Sequence, residues 1–378
     1  MVDTITQYER IRDEIDQAVA AVIRSGAYIN GPVVQQFREN LAAYLGVEHV
    51  IPCANGTDAL QIALMALQLR PGDEVITTAF TFVATAEVIA LLGLKPVFVD
   101  VEPDTYNLNP QLIEAAITDK TRAIIPVHLF GQPANMAPIM ELARQHGLYV
   151  IEDNAQAIGA AYTFADGQRL KTGAIGHIGT TSFYPSKNLG AYGDGGAIFT
   201  QDEELAARMW MICNHGSSRR YYHDVVGVNS RLDAIQAAIL DIKLRHLDAY
   251  NQARIQAADQ YDQLLKEEAG IGLPLRAAYA HHVFHQYTIR IKEGREKRDA
   301  IQAYLSQQHI PAMIYYPVPL HLQAAYRGYG YKPGDLPVTE QLSEEVLSLP
   351  MHSELTQEQT EHVSGHLKAA LKQAAGIC

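Results

Sequence analysis

The sequence predicts an α/β protein with a mostly parallel sheet, because short apolar runs alternate with helical segments between residue 49 and about residue 155. The apolar runs are HVIPC, DEVITT, KPVFVD, RAIIPVHLF and LYVIED. Strands that alternate with helices need crossover connections, which place helices on both faces of a parallel sheet. Two later runs, TTSFY and GGAIFT, flank a glycine-rich turn and predict two further strands.

Helical periodicity completes the expected architecture. Apolar residues at helical spacing predict two amino-terminal helices, and two long helices are expected over residues 232–242 and 248–266. VFHQYTIRI then predicts a strand, and two more helical segments follow it. We therefore expect the amino-terminal helices and a large α/β domain over residues 1–250, with a smaller carboxyl-terminal α+β domain over residues 251–378.

Composition and charge exclude several classes of protein. The chain has 378 residues, of which 48% are hydrophobic and 19% charged, so disordered, collagen-like and coiled-coil proteins are disfavoured. Its 42 acidic and 30 basic residues give a net charge of −12, and the basic residues are scattered. Because a nucleic-acid-binding protein needs a basic surface, no nucleic-acid partner is predicted.

Other features favour a cytoplasmic protein without a metal centre. No apolar run reaches the roughly 18 residues of a membrane span, and the acidic amino terminus does not resemble a secretion signal. Cys53, Cys213 and Cys378 are too few and too far apart for a disulfide framework or a zinc site. The histidines in HHVFH have no acidic ligand cluster beside them, so no metal is predicted.

The segment Asn55-Gly56-Thr57-Asp58 is a candidate anion site, since it lies between a predicted strand and a predicted helix. Glycine allows the backbone to approach a ligand closely, and the first N–H groups of a helix attract negative charge. A phosphate is therefore one expected ligand. The alternative is an ordinary helix cap, for which threonine and aspartate are common residues.

Three residues could carry chemistry at the ends of strands. Asp153 ends the run LYVIED, where an acid can face a protonatable ring nitrogen, and Gln156 follows three residues later. Helix capping, or a carboxylate bound by backbone amides, is the alternative for Asp153. Lys187 follows an apolar strand and precedes the glycine-rich turn. A desolvated lysine has a lowered pKa and can form a Schiff base, whereas a solvated lysine is the ordinary alternative.

Seven sequence blocks, in order along nearly the whole chain, resemble the DegT/DnrJ/EryC1/StrS family of nucleotide-sugar aminotransferases. They are CANGTDALQIAL, VITTAFTFVATAE, KPVFVDVEPDTYNL, IPVHLFGQPANM, VIEDNAQAIGA, SFYPSKNLGAYGDGGAIFT and GVNSRLDAIQAAIL. The resemblance implies the fold of aspartate aminotransferase, known as fold type I, and pyridoxal 5'-phosphate as the cofactor. It also implies a homodimer whose two subunits share each active site.

The resemblance implies roles for individual residues. Lys187 would bind the cofactor as a Schiff base and carry protons at the substrate carbon. Asp153 would pair with the pyridine nitrogen, Gln156 would bond the phenolic oxygen, and Phe82 would stack on the ring.

The same resemblance implies a set of residues that hold the cofactor phosphate. Within one subunit these are Gly56, Thr57, Asp58 and Ser182. Asn229 of the partner subunit would reach the same phosphate, which is why a homodimer is expected.

The implied reaction has two half-reactions with ping-pong kinetics. Glutamate would leave its amino group on the cofactor as pyridoxamine phosphate, and a nucleotide-linked ketosugar would then accept that group in deoxyamino-sugar and glycan biosynthesis. Amination at C3 is preferred over C4, because the AQAIGA and KNLGAYGDGG blocks resemble more closely those family members that aminate C3. Tyr315-Tyr316-Pro317 replaces the frequent His-Tyr-Pro of the family and leaves the sugar open. The expected substrate-binding residues are Tyr184, Arg219, Arg220, Arg231, Tyr316 and His321.

Other functions remain as alternatives. A pyridoxal-phosphate sugar dehydratase of the same fold would have histidine in place of Lys187. A non-catalytic regulator that binds the cofactor or a sugar nucleotide would be expected to carry an added DNA-binding module. A lyase or desulfurase would need a reactive cysteine on a mobile loop.

Overall fold

The computed structural model describes residues 1–375, so Cys378 lies outside the described residues. In this part of the chain the helices are α1 (Thr4–Ser25), α2 (Pro32–Leu45), α3 (Gly56–Ala66), α4 (Ala84–Leu91), α5 (Ile113–Ala116), α6 (Met136–His146), α7 (Glu203–Cys213), α8 (Ala234–Leu265), α9 (Arg295–Gln307), α10 (Pro337–Glu345) and α11 (Gln357–Ala375). The strands of the large sheet are β1 (His49–Cys53), β2 (Glu74–Thr78), β3 (Lys95–Val99), β4 (Thr121–Ile124), β5 (Tyr149–Asp153), β8 (Ile178–Ser182) and β9 (Gly196–Thr200). The remaining strands are β6 (Ala161–Thr163), β7 (Arg169–Lys171), β10 (Ser217–Arg219), β11 (Tyr222–His223), β12 (Ile271–Gly272), β13 (Ala280–His281), β14 (Tyr287–Ile291) and β15 (Val346–Leu349).

The large sheet has the strand order β1-β9-β8-β5-β4-β2-β3. The pairs from β8 to β3 are parallel, whereas β9 runs antiparallel to both β8 and β1. The prediction of an α/β fold with a mostly parallel sheet is therefore confirmed. Because β5 and β8 are parallel neighbours, their carboxyl ends lie at the same edge of the sheet.

The two long helices expected after residue 232 are in fact one. Helix α8 runs through 32 residues from Ala234 to Leu265 without a break. The segment between the two expected helices, residues 243–247, reads KLRHL and contains no glycine or proline that would stop a helix. The predicted boundary between the two domains, at residue 250, lies inside this helix, and that boundary stays a prediction. No helix within residues 1–375 is both long and apolar enough to cross a bilayer.

A buried pair of side chains holds the loop after β7 against β5. Glu152 accepts hydrogen bonds from the backbone N–H groups of Gly173, Ile175 and Gly176, at 2.6–2.9 Å. It also lies 2.8 Å from Nε2 of His128. Since Nδ1 of His128 accepts from the Ala134 N–H, Nε2 carries the proton and donates to Glu152. All of the carboxylate's partners are thus inside the protein.

We expect Glu152→Ala to lower the free energy of unfolding by about 3 kcal/mol or more, because it leaves His128 and three backbone donors buried without an acceptor. The midpoint of urea denaturation would measure the change. Glu141→Ala is the control, since Glu141 forms an exposed pair with Arg144 and such pairs contribute little. Equal shifts in the two variants would contradict this account of Glu152.

Candidate active site

The loop between β1 and α3 leads into the amino terminus of α3, the predicted anion site. Asn55 caps α3, and its Oδ1 accepts a hydrogen bond of 2.8 Å from the Asp58 N–H. The N–H groups of Gly56 and Thr57 have no partner within the helix, because they come before its first internal hydrogen bond. A Cβ at Gly56 would lie 2.6 Å from Cβ of Ser182, so only glycine fits between this loop and the end of β8. The loop therefore leaves backbone donors beside the Ser182 hydroxyl.

Asp153 lies at the end of β5 and is 5% exposed. Its Oδ2 accepts a 2.8 Å hydrogen bond from the hydroxyl of Thr85, and its Oδ1 accepts one of 3.2 Å from the Ala155 N–H. Thr85 lies in the first turn of α4. The sequence reasoning did not single out Thr85, although it lies in the quoted block VITTAFTFVATAE. These two bonds fix the orientation of the carboxylate.

Phe82 precedes α4 and is 56% exposed, although large aromatic residues are usually buried. Its backbone carbonyl lies 3.4 Å from the hydroxyl of Thr85, the same hydroxyl that bonds Asp153. An aromatic face is thus left free for stacking.

Lys187 lies in the turn that follows β8, where its N–H donates to the carbonyl of Tyr184 at 2.8 Å. The side chain is half-buried. Burial lowers the pKa of the Lys187 amine to about 8, and the negative charge of Asp153 opposes that shift. The two groups are therefore close enough to influence each other, and the amine is partly uncharged near pH 8.

Gln156 is held on both sides of its amide. Its Oε1 accepts a 2.7 Å hydrogen bond from the Phe130 N–H, and its Nε2 donates to the hydroxyl of Tyr316 at 3.1 Å. Burial raises the pKa of Tyr316, so its hydroxyl stays protonated. The second Nε2 proton of Gln156 has no partner among the described residues and remains available to a ligand.

The predicted substrate residues are spread over three places. Arg219 and Arg220 lie on the exposed hairpin β10–β11. The guanidinium carbon lies 3.8 Å from the centre of a tyrosine ring for Arg219 and 5.1 Å for Arg220. Tyr184 is exposed just after β8, near Lys187 in sequence. His321 is buried instead, and its Nε2 lies 3.1 Å from Oε1 of Glu340. The two arginines are thus exposed on a hairpin, whereas His321 is buried against Glu340.

Asn229 and Arg231 lie on either side of a residue that touches the loop between β1 and α3. Between them, Ser230 is buried and its hydroxyl accepts a 3.0 Å hydrogen bond from the Ala54 N–H. Asn229 is exposed and Arg231 half-buried. The side chain of Asn229 is therefore free to contact another molecule.

The residues fit pyridoxal phosphate in their donor chemistry. The backbone donors at Gly56 and Thr57 suit a phosphate, the carboxylate of Asp153 suits a protonated ring nitrogen, and the amine of Lys187 suits an aldehyde. A metal does not suit them: within residues 1–375 no three histidine, cysteine or acidic side chains form a group that could hold one.

Residues 9–368 match the model of the DegT/DnrJ/EryC1/StrS aminotransferase family. The chain belongs to this family. It is 51% identical to a pleiotropic regulatory protein of Geobacillus stearothermophilus, over 96% of each chain. It is 49% identical to the UDP-2-acetamido-2-deoxy-3-oxo-D-glucuronate aminotransferase of Pseudomonas aeruginosa, over 93% of this chain and 94% of that one. The crystal structure of S. venezuelae DesV in complex with a ketimine intermediate has 42% identity and a TM-score of 0.93, and the match covers 98% of this chain and 97% of that chain.

Membership of this family confirms four predictions made from the sequence: the family itself, the fold, the aminotransferase activity and pyridoxal phosphate as the cofactor. The predicted roles of individual site residues stay predictions. Cys53 and Cys213 are buried free thiols, and burial raises the pKa of both. Thiols of this kind are unreactive, which argues against the desulfurase alternative.

We expect the amine of Lys187 in the cofactor-free protein to react with acetic anhydride along a pH profile centred near 8, below the ordinary lysine value of 10.5. Asp153→Asn should move the midpoint to lower pH, because the lost carboxylate no longer stabilises the ammonium form. Mass spectrometry of the peptide that contains Lys187 would measure the rate at each pH. The control is Asp166→Asn, which removes an exposed carboxylate. A higher midpoint in Asp153→Asn would contradict the assignment.

Proposed function

We propose that this aminotransferase moves an amino group from glutamate to C3 of a nucleotide-linked ketosugar, with ping-pong kinetics. The observation that carries the proposal is the half-buried amine of Lys187, whose pKa near 8 is set by burial and by Asp153. Such an amine can act as a nucleophile and can also accept and return a proton near neutral pH. Both abilities are needed for transamination.

Each proposed step uses the residues around that amine. Bound pyridoxal phosphate supplies an aldehyde that condenses with amines and a ring that withdraws electrons from the adjoining carbon. The Nζ of Lys187 takes a proton from the α-carbon of glutamate, and it delivers a proton to the sugar carbon in the second half-reaction. Asp153 holds a proton at the ring nitrogen, while Phe82 and Gln156 fix the plane of the ring.

The proposed phosphate site combines residues of two subunits. Backbone donors of Gly56, Thr57 and Asp58 and the Ser182 hydroxyl supply one side. The exposed side chain of Asn229 of the partner subunit supplies another. Support comes from the glycine at 56, where any side chain would meet Ser182. We therefore propose a homodimer as the functional unit.

Several residues are proposed to bind the sugar nucleotide. A diphosphate suits guanidinium groups, which form paired hydrogen bonds with phosphate oxygens. Arg219 and Arg220 lie on an exposed hairpin, whereas the half-buried Arg231 lies two residues after Asn229. Since the chain carries a net charge of −12, these local positive groups must overcome a repulsive field. The proposed residues of the sugar pocket are Tyr184, Tyr316 and His321.

The choice of C3 rests on sequence similarity to an enzyme of known substrate. The Pseudomonas aeruginosa relative is named for a 3-oxo sugar linked to UDP, and it shares 49% identity with this chain. Tyr315, where the family often has histidine, is half-buried beside Tyr316, one of the proposed residues of the sugar pocket. We propose a UDP-linked 3-ketosugar as the acceptor and a cytoplasmic location for the reaction.

We expect the cofactor-loaded enzyme to absorb visible light as the lysine-bound form and to convert to the amine form when glutamate is added. Lys187→Ala should abolish both signals, because no other amine is expected to reach the aldehyde. A UDP-linked 3-ketosugar should then restore the first spectrum at least ten times faster than a 4-ketosugar. Absorbance spectroscopy follows both halves, and mass spectrometry identifies the aminated sugar.

Lys171→Ala is the matched control for this experiment, since burial also lowers the pKa of Lys171 but the residue lies outside the site. It should retain both half-reactions. Keto product released without an amine would favour a dehydratase. Binding of sugar nucleotide without turnover would favour a regulator, the function in the name of the Geobacillus relative.

Mixed dimers test the shared site. We expect a heterodimer of Lys187→Ala and Asn229→Asp subunits to recover about half of the wild-type activity, while each variant homodimer is strongly impaired. In that heterodimer one site would combine an intact Lys187 with an intact Asn229 from the other subunit. Purification through two different affinity tags isolates the mixed species. An inactive heterodimer would show that both residues serve the same subunit's site.

A further inference from the structure

The residue that follows the reactive lysine is locked by a buried hydrogen-bond network. Asn188 is only 3% exposed. Its Nδ2 donates to Oδ1 of Asn251 at 2.8 Å and to the carbonyl of Val283 at 3.2 Å. Its Oδ1 lies 3.2 Å from Nδ1 of His285. Because both protons of Nδ2 are directed at acceptors, the amide has only one orientation that satisfies it.

This orientation also determines the state of His285. An amide oxygen can only accept, so Nδ1 of His285 must carry a proton and donate to Asn188. Burial lowers the pKa of His285 well below its ordinary value, and Lys187 and Arg254 lower it further. The imidazole is therefore uncharged near pH 7, and its Nε2 has an unshared electron pair. The effect of Lys187 on this pKa also shows that the two side chains are near each other.

The network is anchored on both sides. Asn251 donates from its Nδ2 to the carbonyl of Ile158 at 3.1 Å, and a Cβ at Gly159 would lie 2.4 Å from that nitrogen. Arg254 donates to the backbone carbonyl of His285 at 3.3 Å. The network thus connects the Lys187 turn with α8 and with the segment before β14, which are distant in sequence.

We propose that His285 is a positioning residue, which acts through its hydrogen bond to Asn188 to hold the Lys187 amine at the reacting carbon. The proposal rests on the proposed function for its catalytic consequence. Displacement of a reacting group by about 1 Å can cost on the order of 100-fold in rate, so a backbone anchor one residue away is sufficient to matter. The uncharged ring also avoids placing a second positive charge beside the amine.

The test compares two buried histidines of one segment. His285→Phe removes the bond to Asn188, whereas His282→Phe is the matched control: His282 stacks on Phe284 at 3.8 Å and accepts from its N–H. We expect kcat of His285→Phe to fall at least tenfold with KM within twofold, and His282→Phe to keep wild-type values even if it is less stable. His285→Asn should recover much of kcat, because its amide can replace the Nδ1 donor.

A second measurement does not depend on turnover. In cofactor-free protein, the pH midpoint for labelling of Lys187 by acetic anhydride should fall by at least half a unit in His285→Phe, since an apolar ring replaces an electron pair that favours the ammonium form. It should not move in His282→Phe. If His285→Phe does not fold, Asn188→Ser serves in its place for the kinetic comparison, with the same expected loss of kcat, because it removes the amide that His285 bonds. This variant keeps the His285 ring, so its labelling midpoint should stay at the wild-type value.

The outcomes separate the two proposals. A wild-type enzyme without glutamate-dependent spectral change overturns the proposed function, and the labelling midpoints still decide on the role of His285. Equal kinetic losses in His285→Phe and His282→Phe, with an unmoved midpoint in both, would reduce His285 to a structural residue and overturn the positioning role.

Discussion

The desolvated amine of Lys187 is the constraint on which the rest of the site depends. An ammonium ion loses hydration when it is buried, and that loss lowers its pKa to about 8. The carboxylate of Asp153 acts in the opposite direction and keeps the charged form accessible. Without Asp153, burial would lower the pKa further, and a solvated lysine would be charged at every physiological pH. Both states are available here because the carboxylate ends β5 and the amine lies in the turn after β8, the parallel neighbour of β5.

The alternation of side chains along β5 gives its last two residues separate tasks. Glu152 and Asp153 point to opposite faces, as successive residues of a strand do. Glu152 binds His128 and the loop at residues 173–176, while Asp153 accepts from Thr85 and influences Lys187. A shift of one residue in the pairing of β5 would exchange these positions. The buried partners of Glu152 therefore also fix the register that puts Asp153 in the site.

The strands and turns that were predicted correctly are those that depend on local sequence patterns. The five apolar runs from HVIPC to LYVIED correspond to β1 to β5, and the glycine-rich turn does lie between β8 and β9. Long-range contacts leave no local pattern. The hydrogen bond between Asn188 and His285 joins residues 97 positions apart, and neither segment has a sequence feature that predicts it. The unbroken α8 was missed because an apolar helical face followed by a polar, alanine-rich stretch looked like two helices.

A polar network behind the lysine has an advantage that an apolar core would lack. Apolar side chains can repack in several arrangements with small differences in free energy, so they define a backbone position loosely. The amide of Asn188 has one satisfied orientation, and every alternative leaves a buried donor or acceptor unpaired at a cost of about 1–3 kcal/mol. The same network brings the glycine-rich turn, α8 and the segment before β14 to one point. A turn with few side chains of its own thus receives its rigidity from parts of the chain that enclose it.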